Sequence, residues 1–195
     1  MESRQLNKDL LKLKESLSHL PEATANPGFV VVSGLPGTGK TFFCKRLAEK
    51  HTFCILESDA LRKVLFPSPE YSPGESARLF DAIHSLIEWL LKNCIPVCFD
   101  ATNLSEYNRE YLYRISDRAG ARLVLVSVEA PPSIAFQRLQ ARKSGAVPDS
   151  KSDADWEIYR QMKPKAEKIG RHHFVVDTSK DIIPVIDKIV RALNR

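Results

Sequence analysis

The chain has 195 residues, of which 43% are hydrophobic and 27% charged, and a formal charge of +5. That length suits one well-cored domain rather than two, and the composition excludes disorder and fibrous repeats. With no apolar run near the roughly 20 residues of a membrane helix, and no signal-peptide core after Met1-Glu2-Ser3-Arg4, the expectation is a cytoplasmic enzyme-sized body without a membrane partner.

Leu6, Leu10, Leu13, Leu17 and Leu20 alternate steps of four and three, which makes one stripe of an amphipathic N-terminal helix. Pro21 and the polar stretch to Gly28 end it, so 1–27 is expected as helix and linker ahead of a domain over 28–195. The stripe suits packing on that domain, with a dimer contact as the alternative. Phe29-Val30-Val31-Val32 reads as a buried strand, followed by a helix over 39–50 and a second strand over 52–56. A long helix over 73–93 is marked by Ser72 as N-cap, Pro73 at its first position and Glu75 as capping-box partner. A strand over 95–99, a helix over 105–119, a strand over 123–128 and a helix over 133–142 follow. Another helix starts at Asp153, a strand covers 174–177 and a closing helix starts at Asp181. This alternation implies right-handed crossovers and an α/β fold with a parallel sheet covered on both faces. Cys44, Cys54, Cys94 and Cys98 form no Cys-x-x-Cys pair and have no His at zinc-ligand spacing, so they are expected as reduced packing residues.

The segment Gly34-Leu35-Pro36-Gly37-Thr38-Gly39-Lys40-Thr41 matches G-x-x-x-x-G-K-[ST] between a strand and a helix. In that setting the glycines let backbone N–H groups turn inward around phosphate oxygens at a helix N-terminus. Lys40 is expected to reach the β and γ phosphates of ATP, and the Thr41 hydroxyl to hold Mg²⁺. Asp100 ends an apolar strand run, which delivers a carboxylate to the carboxyl edge of the sheet and the Mg²⁺ side of the site; a plain helix cap is the alternative. Ala101 follows it, where ATPases that activate water commonly place a Glu, and no Asn-Lys-x-Asp guanine-reading motif is present.

Asp59 and Arg62 sit i and i+3 after the second strand, on one face of the helix they open. Transfer to an alcohol needs a carboxylate for the hydroxyl proton and a cation for the phosphoryl charge, which this pair supplies unless it is only a cap and a solvated arginine. Arg138 and Arg142 share a face of the helix before Lys143-Ser144-Gly145, a hinge-like stretch; a lid around 138–152 would bring them onto the nucleotide, and two solvated arginines are the alternative. Lys143, Lys151, Arg160, Lys163, Lys165, Lys168 and Arg171 surround Trp156 and Tyr159, a composition that fits a tracked single strand or, more simply, core aromatics under a solvated face. His84, His172 and His173 receive no catalytic role.

With these residues in place the chain resembles the P-loop kinases related to polynucleotide kinase and zeta-type toxins, from Phe29 to the C-terminus. The resemblance rests on the phosphate loop, Ser58-Asp59-Ala60-Leu61-Arg62, Phe99-Asp100-Ala101-Thr102-Asn103-Leu104, and Arg138 with Arg142. It implies a three-layer α/β/α fold with a five-stranded parallel sheet in the order 2-3-1-4-5. It also implies a γ-phosphoryl transfer from ATP to a hydroxyl acceptor, either a nucleic acid 5′ end or a small molecule. Asp59 matches the general base, Arg62 a substrate or phosphate contact, Asp100 the strand-end carboxylate and Arg142 the lid arginine; Asn103 matches a motif position without an assigned role. The N-terminal helix lies outside the resemblance.

Overall fold

The computed structural model describes residues 2–145 and 152–194. The chain runs α1 (Glu2–Glu15), β1 (Gly28–Ser33), α2 (Lys40–Ala48), β2 (Cys54–Glu57), α3 (Ser58–Leu65), α4 (Pro73–Lys92), β3 (Val97–Asp100) and α5 (Glu106–Ala119). It continues with β4 (Arg122–Glu129), α6 (Pro132–Lys143), α7 (Trp156–Met162), a 3₁₀ turn (Lys163–Lys165), β5 (Phe174–Asp177) and α8 (Ile183–Leu193). The five strands form one parallel sheet in the order β2-β3-β1-β4-β5, the order expected.

Alternate residues of each strand face opposite layers. Phe29, Val31, Leu56, Val97, Phe99 and Leu125 join the core under α1, α3, α4 and α5, whereas Val30, Val32, Cys98, Val124, Val126 and Val128 join the core under α2 and α8. Both faces of the central strands are therefore dry, which is why β1 reads as a continuous apolar run rather than an alternating one.

Several boundaries differ from the expected ones, each for a local reason. The third strand begins at Val97 rather than 95 because Pro96 has no N–H to give; its carbonyl instead accepts from Cys54 N at 2.8 Å. The helix expected to run through Leu20 stops at Glu15, where the Ser16 hydroxyl bonds back to the Leu13 carbonyl and the chain tightens into a 3₁₀-type turn. Leu6, Leu10, Leu13 and Leu17 still pack against the core below α3 and α4, and Leu20 is exposed. The apolar stripe is thus covered within the chain. It carries one buried charge, Asp9 at 1% exposure, which accepts from Arg78 Nε and Nη2 at 2.6 and 2.7 Å and from Gln5 at 3.0 Å. Ser72 caps α4 by accepting from Glu75 N at 3.1 Å, but the reciprocal half of the capping box does not form. The Glu75 carboxylate turns instead to Glu70 N and to Arg62. The helix expected from Asp153 starts at Trp156, with Asp155 as its cap, because Asp153 is engaged elsewhere.

Candidate active site

The loop over 34–41 joins the carboxyl end of β1 to the first turn of α2. A side chain at Gly34 would collide with the Val128 carbonyl oxygen on β4, so only glycine lets the loop turn there. Gly39, just before α2, holds φ +91 in the left-handed region, with Thr178 and Arg138 packed where a Cβ would be; Gly37 has φ +77. Pro36 and Thr38 are buried, and the Thr38 hydroxyl closes the loop on the Leu35 carbonyl at 2.9 Å. Lys40 Nζ donates to the same carbonyl at 3.0 Å, curled into the space that the loop encloses. The surrounding loop strips water from this ammonium and lowers its pKa; Asp100 and then Asp59 oppose the shift by favouring the charged form, and Arg142 adds to the lowering.

Asp100, Asp59 and Arg142, all singled out in the sequence, thus act electrostatically on Lys40. Asp100, at the end of β3 and beside β1, is 5% exposed and accepts from the Thr41 hydroxyl at 2.5 Å. Burial raises its pKa, while Lys40 and Thr41 draw it down. Asp59 is half-buried at the start of α3 and lies near enough to influence both Lys40 and Asp100. Thr41 and Asp100 supply two oxygen donors side by side, a partial set of the kind Mg²⁺ completes with phosphate oxygens and water. Among the described residues no group of three or more His, Cys, Asp or Glu side chains gathers as a fuller metal site.

Arg62 is placed differently from the expectation of a substrate or phosphate contact. It is 7% exposed, with Nη1 on the Glu75 carboxylate, Nη2 at 3.4 Å from Ser76 Oγ and its plane over the Tyr71 ring at 4.7 Å. Nothing in the spacing of Asp59 and Arg62 could reveal this, because the partner lies on the next helix. Lys63 and Tyr71 both reach Asp153, at 3.2 and 2.6 Å, which ties α3 and the strap over 66–72 to the segment after α6. Arg142 lines a cleft of about 340 Å³ with Leu139, Lys143, Asp153 and Asp155. Residues 146–151, the middle of the expected lid and the position of Lys151, lie outside the described residues.

Arg138 is a bridge in this structure rather than a solvated arginine: it donates to Thr178 Oγ1 at 2.7 Å, to the Thr178 carbonyl at 3.0 Å and weakly to the Gly37 carbonyl at 3.4 Å. Thr178, which the sequence did not single out, donates its hydroxyl to the Thr38 carbonyl at 2.6 Å. Arg109 was missed as well. It is 1% exposed and donates to the carbonyls of Asn103, Glu167 and Lys168 at 2.5, 3.0 and 2.9 Å. Asn103, at φ 45, donates to the Val32 carbonyl at 2.7 Å and accepts from Ser33 Oγ on its own carbonyl at 2.9 Å, so the turn after Asp100 is fastened to the end of β1. Trp156 and Tyr159 stack on each other at 4.5 Å and pack with Leu35, Ala135 and Leu139; Tyr159 is 3% exposed. These rings belong to a core behind the phosphate loop, not to a strand-tracking face. All four cysteines are free thiols, three of them buried. Among the described residues no helix is long and apolar enough to cross a membrane.

An AAA-domain family profile matches residues 29–169, more than half of the chain. The chain belongs to this AAA domain family. Within its matched span lie the whole phosphate loop, Asp59, Asp100 and both α6 arginines, so the matched AAA domain contains every residue that meets around Lys40. The UPF0200 protein of Saccharolobus islandicus strain L.S.2.15 is 28% identical over 123 residues, 58% of this chain; the alignment spans 63% of that relative's length. Among solved structures, the APS kinase CysC of Mycobacterium tuberculosis in complex with AMPPNP and APS superposes with a TM-score of 0.64 at 16% identity, covering 88% of this chain and 100% of that one. A gluconokinase from Sinorhizobium meliloti gives 0.59 at 19% identity, covering 87% and 93%. At these identities the likeness carries the fold, that of a P-loop kinase.

Proposed function

We propose that the protein is a phosphotransferase that moves the γ-phosphoryl group of ATP to a hydroxyl acceptor. The observation that carries this reading is the pair of carboxylates at one edge of the sheet: Asp100 ends β3 beside the phosphate loop, and Asp59 opens α3 two residues after Glu57, which pairs with Asp100. A phosphate-holding lysine needs one carboxylate on the metal side; the second, on a separate element, suits proton removal from an incoming alcohol. In this mechanism the amides of 34–41 cradle the phosphates and Lys40 balances the charge on the β and γ groups. Thr41 and Asp100 would hold Mg²⁺, which supplies charge neutralisation across the β and γ oxygens when bound. The acceptor oxygen forms a bond to the γ phosphorus as the bond to the β–γ bridging oxygen breaks, the hydroxyl proton passes to Asp59 and ADP departs. Arg142, on the lid helix, spreads the developing negative charge, and Arg138 fixes the loop against Thr178.

Ala101 further supports transfer over hydrolysis: it is buried directly after Asp100, and no carboxylate stands there to activate water. The structural neighbours named APS kinase and gluconokinase are compatible with the same class of reaction. The narrower likeness to polynucleotide and zeta-type kinases gives the same chemistry and leaves the acceptor to experiment. The test is product analysis with γ-labelled ATP across alcohols, nucleosides, sugars and 5′-hydroxyl oligonucleotides, with Lys40→Ala as control. Label appearing in an acceptor, and lost in the Lys40→Ala protein at unchanged thermal midpoint, is the expected result. Release of free phosphate at the same rate with and without every acceptor would sink it.

A further inference from the structure

We propose that the acceptor side of this site takes a small hydroxyl compound with no phosphate, sulfate or carboxylate of its own, an inference that rests on the phosphotransferase reading above. The groups that flank Asp59 away from the phosphate loop come from α3, the strap over 66–72, the start of α4 and Asp153. Two cations stand on these elements among the described residues, Arg62 and Lys63, and each is already paired with a carboxylate; Arg142, which lines the adjoining cleft, is assigned above to the transferred phosphoryl group. Arg62 is buried on the Glu75 carboxylate, whose other oxygen accepts from Glu70 N at 2.8 Å and so is also committed. Lys63 takes one oxygen of Asp153, and the Tyr71 hydroxyl takes the other. With Asp59, Glu70, Glu75 and Asp153 against Arg62 and Lys63, this flank carries two more negative charges than positive.

An anionic acceptor would meet Asp59 at the point of attack and could gain Arg62 only by displacing Glu75 from a buried ion pair. An uncharged acceptor meets no such barrier. Its hydroxyls donate to carboxylates and to the Tyr71 hydroxyl oxygen without changing any charge balance. Arg62 keeps one buried N–H, at Nε, without a partner, the kind of vacancy a neutral oxygen fills at no electrostatic cost. Asp153 links the strap to the segment after α6, and the adjoining cleft of about 340 Å³ lies at the small end of ligand sites.

Two arms test this. In the first, the protein saturated with AMPPNP and Mg²⁺ is titrated calorimetrically with sulfate at constant ionic strength. Wild type is expected to show no saturable sulfate site, and Glu75→Gln to gain one that the added change Arg62→Met removes. A saturable site in wild type that Arg62→Met abolishes overturns the proposal, and this comparison decides even if the Glu75→Gln protein does not fold. In the second arm, γ-labelled ATP is offered with glucose, glycerol and inositol against gluconate, nucleoside monophosphates and a 5′-hydroxyl oligonucleotide. The best neutral acceptor is expected to be labelled at least about tenfold faster than any anionic one, since one like-charge contact of this kind is worth roughly a factor of ten. A preference for an anionic acceptor overturns the proposal alone, whereas phosphate release with no acceptor labelled overturns the phosphotransferase reading beneath it.

Discussion

The two sides of the site are held together by different forces. On the nucleotide side the fastenings are mostly neutral hydrogen bonds to backbone carbonyls: Thr38 to Leu35, Ser33 to Asn103, Asn103 to Val32 and Thr178 to Thr38, all at the edge of a sheet that is dry on both faces. On the acceptor side the fastenings are side-chain ion pairs: Arg62 with Glu75 and Lys63 with Asp153 tie the eight-residue α3 to α4 and to the segment after α6, and Arg78 with Asp9 ties α4 to α1. Neutral bonds to carbonyls of a packed sheet are insensitive to salt and pH, and they fix phosphate donors before the nucleotide arrives. The Arg62–Glu75 pair is buried and held, whereas the exposed Lys63–Asp153 pair weakens with salt. The difference points to a preformed nucleotide cradle beside an acceptor wall whose outer fastening is sensitive to salt.

The largest expected effect separates the two sides by chemistry. Asp59→Asn should reduce phosphoryl transfer by about 10² to 10⁴, the range a general base supplies, while ATP affinity and thermal midpoint stay at wild-type values. Calorimetric ATP binding and labelled transfer on one preparation check this; near-normal transfer would leave Asp59 without a catalytic role. Next, Thr178→Val keeps the shape and removes the hydroxyl between Thr38 and Arg138, leaving the Thr38 carbonyl without this buried donor. A loss of about 1–3 kcal/mol in stability and weaker ATP binding are expected, with acceptor KM unchanged. If KM for the acceptor moved as much as ATP affinity, the division into two sides would fail.

The smallest effect concerns pH. Hydrogen bonding from Arg78 holds the Asp9 carboxyl below its ordinary range despite the opposing effect of burial. Because the folded pKa is depressed, the contribution to stability is present above the unfolded value of about 3.9 and is lost as pH falls through the folded one. Arg78 is 41% exposed, so solvent screening reduces the expected contribution to about 1 kcal/mol, or roughly 2–4 °C in Tm. Asp9→Asn should therefore melt a few degrees below wild type at pH 7, and the gap should close as the pH falls below about 4. A gap that stays constant down to pH 2 would assign the difference to packing instead of charge.

Much of the nucleotide side could be read from the sequence because its chemistry is local. The apolar run 29–32, the glycines of 34–39, Lys40 and Thr41 are contiguous, and Asp100 closes an apolar run of its own. The sheet order came from the family resemblance rather than from any periodicity. Thr178 and Arg109 were invisible because their partners are distant in sequence: Thr178 meets Thr38 across 140 positions, and Arg109 meets Lys168 across 59. The partner of Arg62 was invisible for a related reason. Glu75 has a sufficient local role as a capping residue, and only the packing of α3 against α4 reveals that its carboxylate serves the arginine. The aromatic pair Trp156 and Tyr159 was legible as core, the simpler of its two readings, but its partners were not, since they come from α6 and Leu35.

The helix that precedes the matched AAA domain lies against α3 and α4, the two elements that carry Asp59, Arg62 and Glu75. Arg78 stands one helical turn beyond Glu75, so Asp9 holds α4 at the level next to the one where Glu75 holds α3. On the proposed phosphotransferase reading, substitutions within 6–17 would alter the acceptor wall without touching any residue of the phosphate loop, and they would do so from outside the matched span that starts at residue 29.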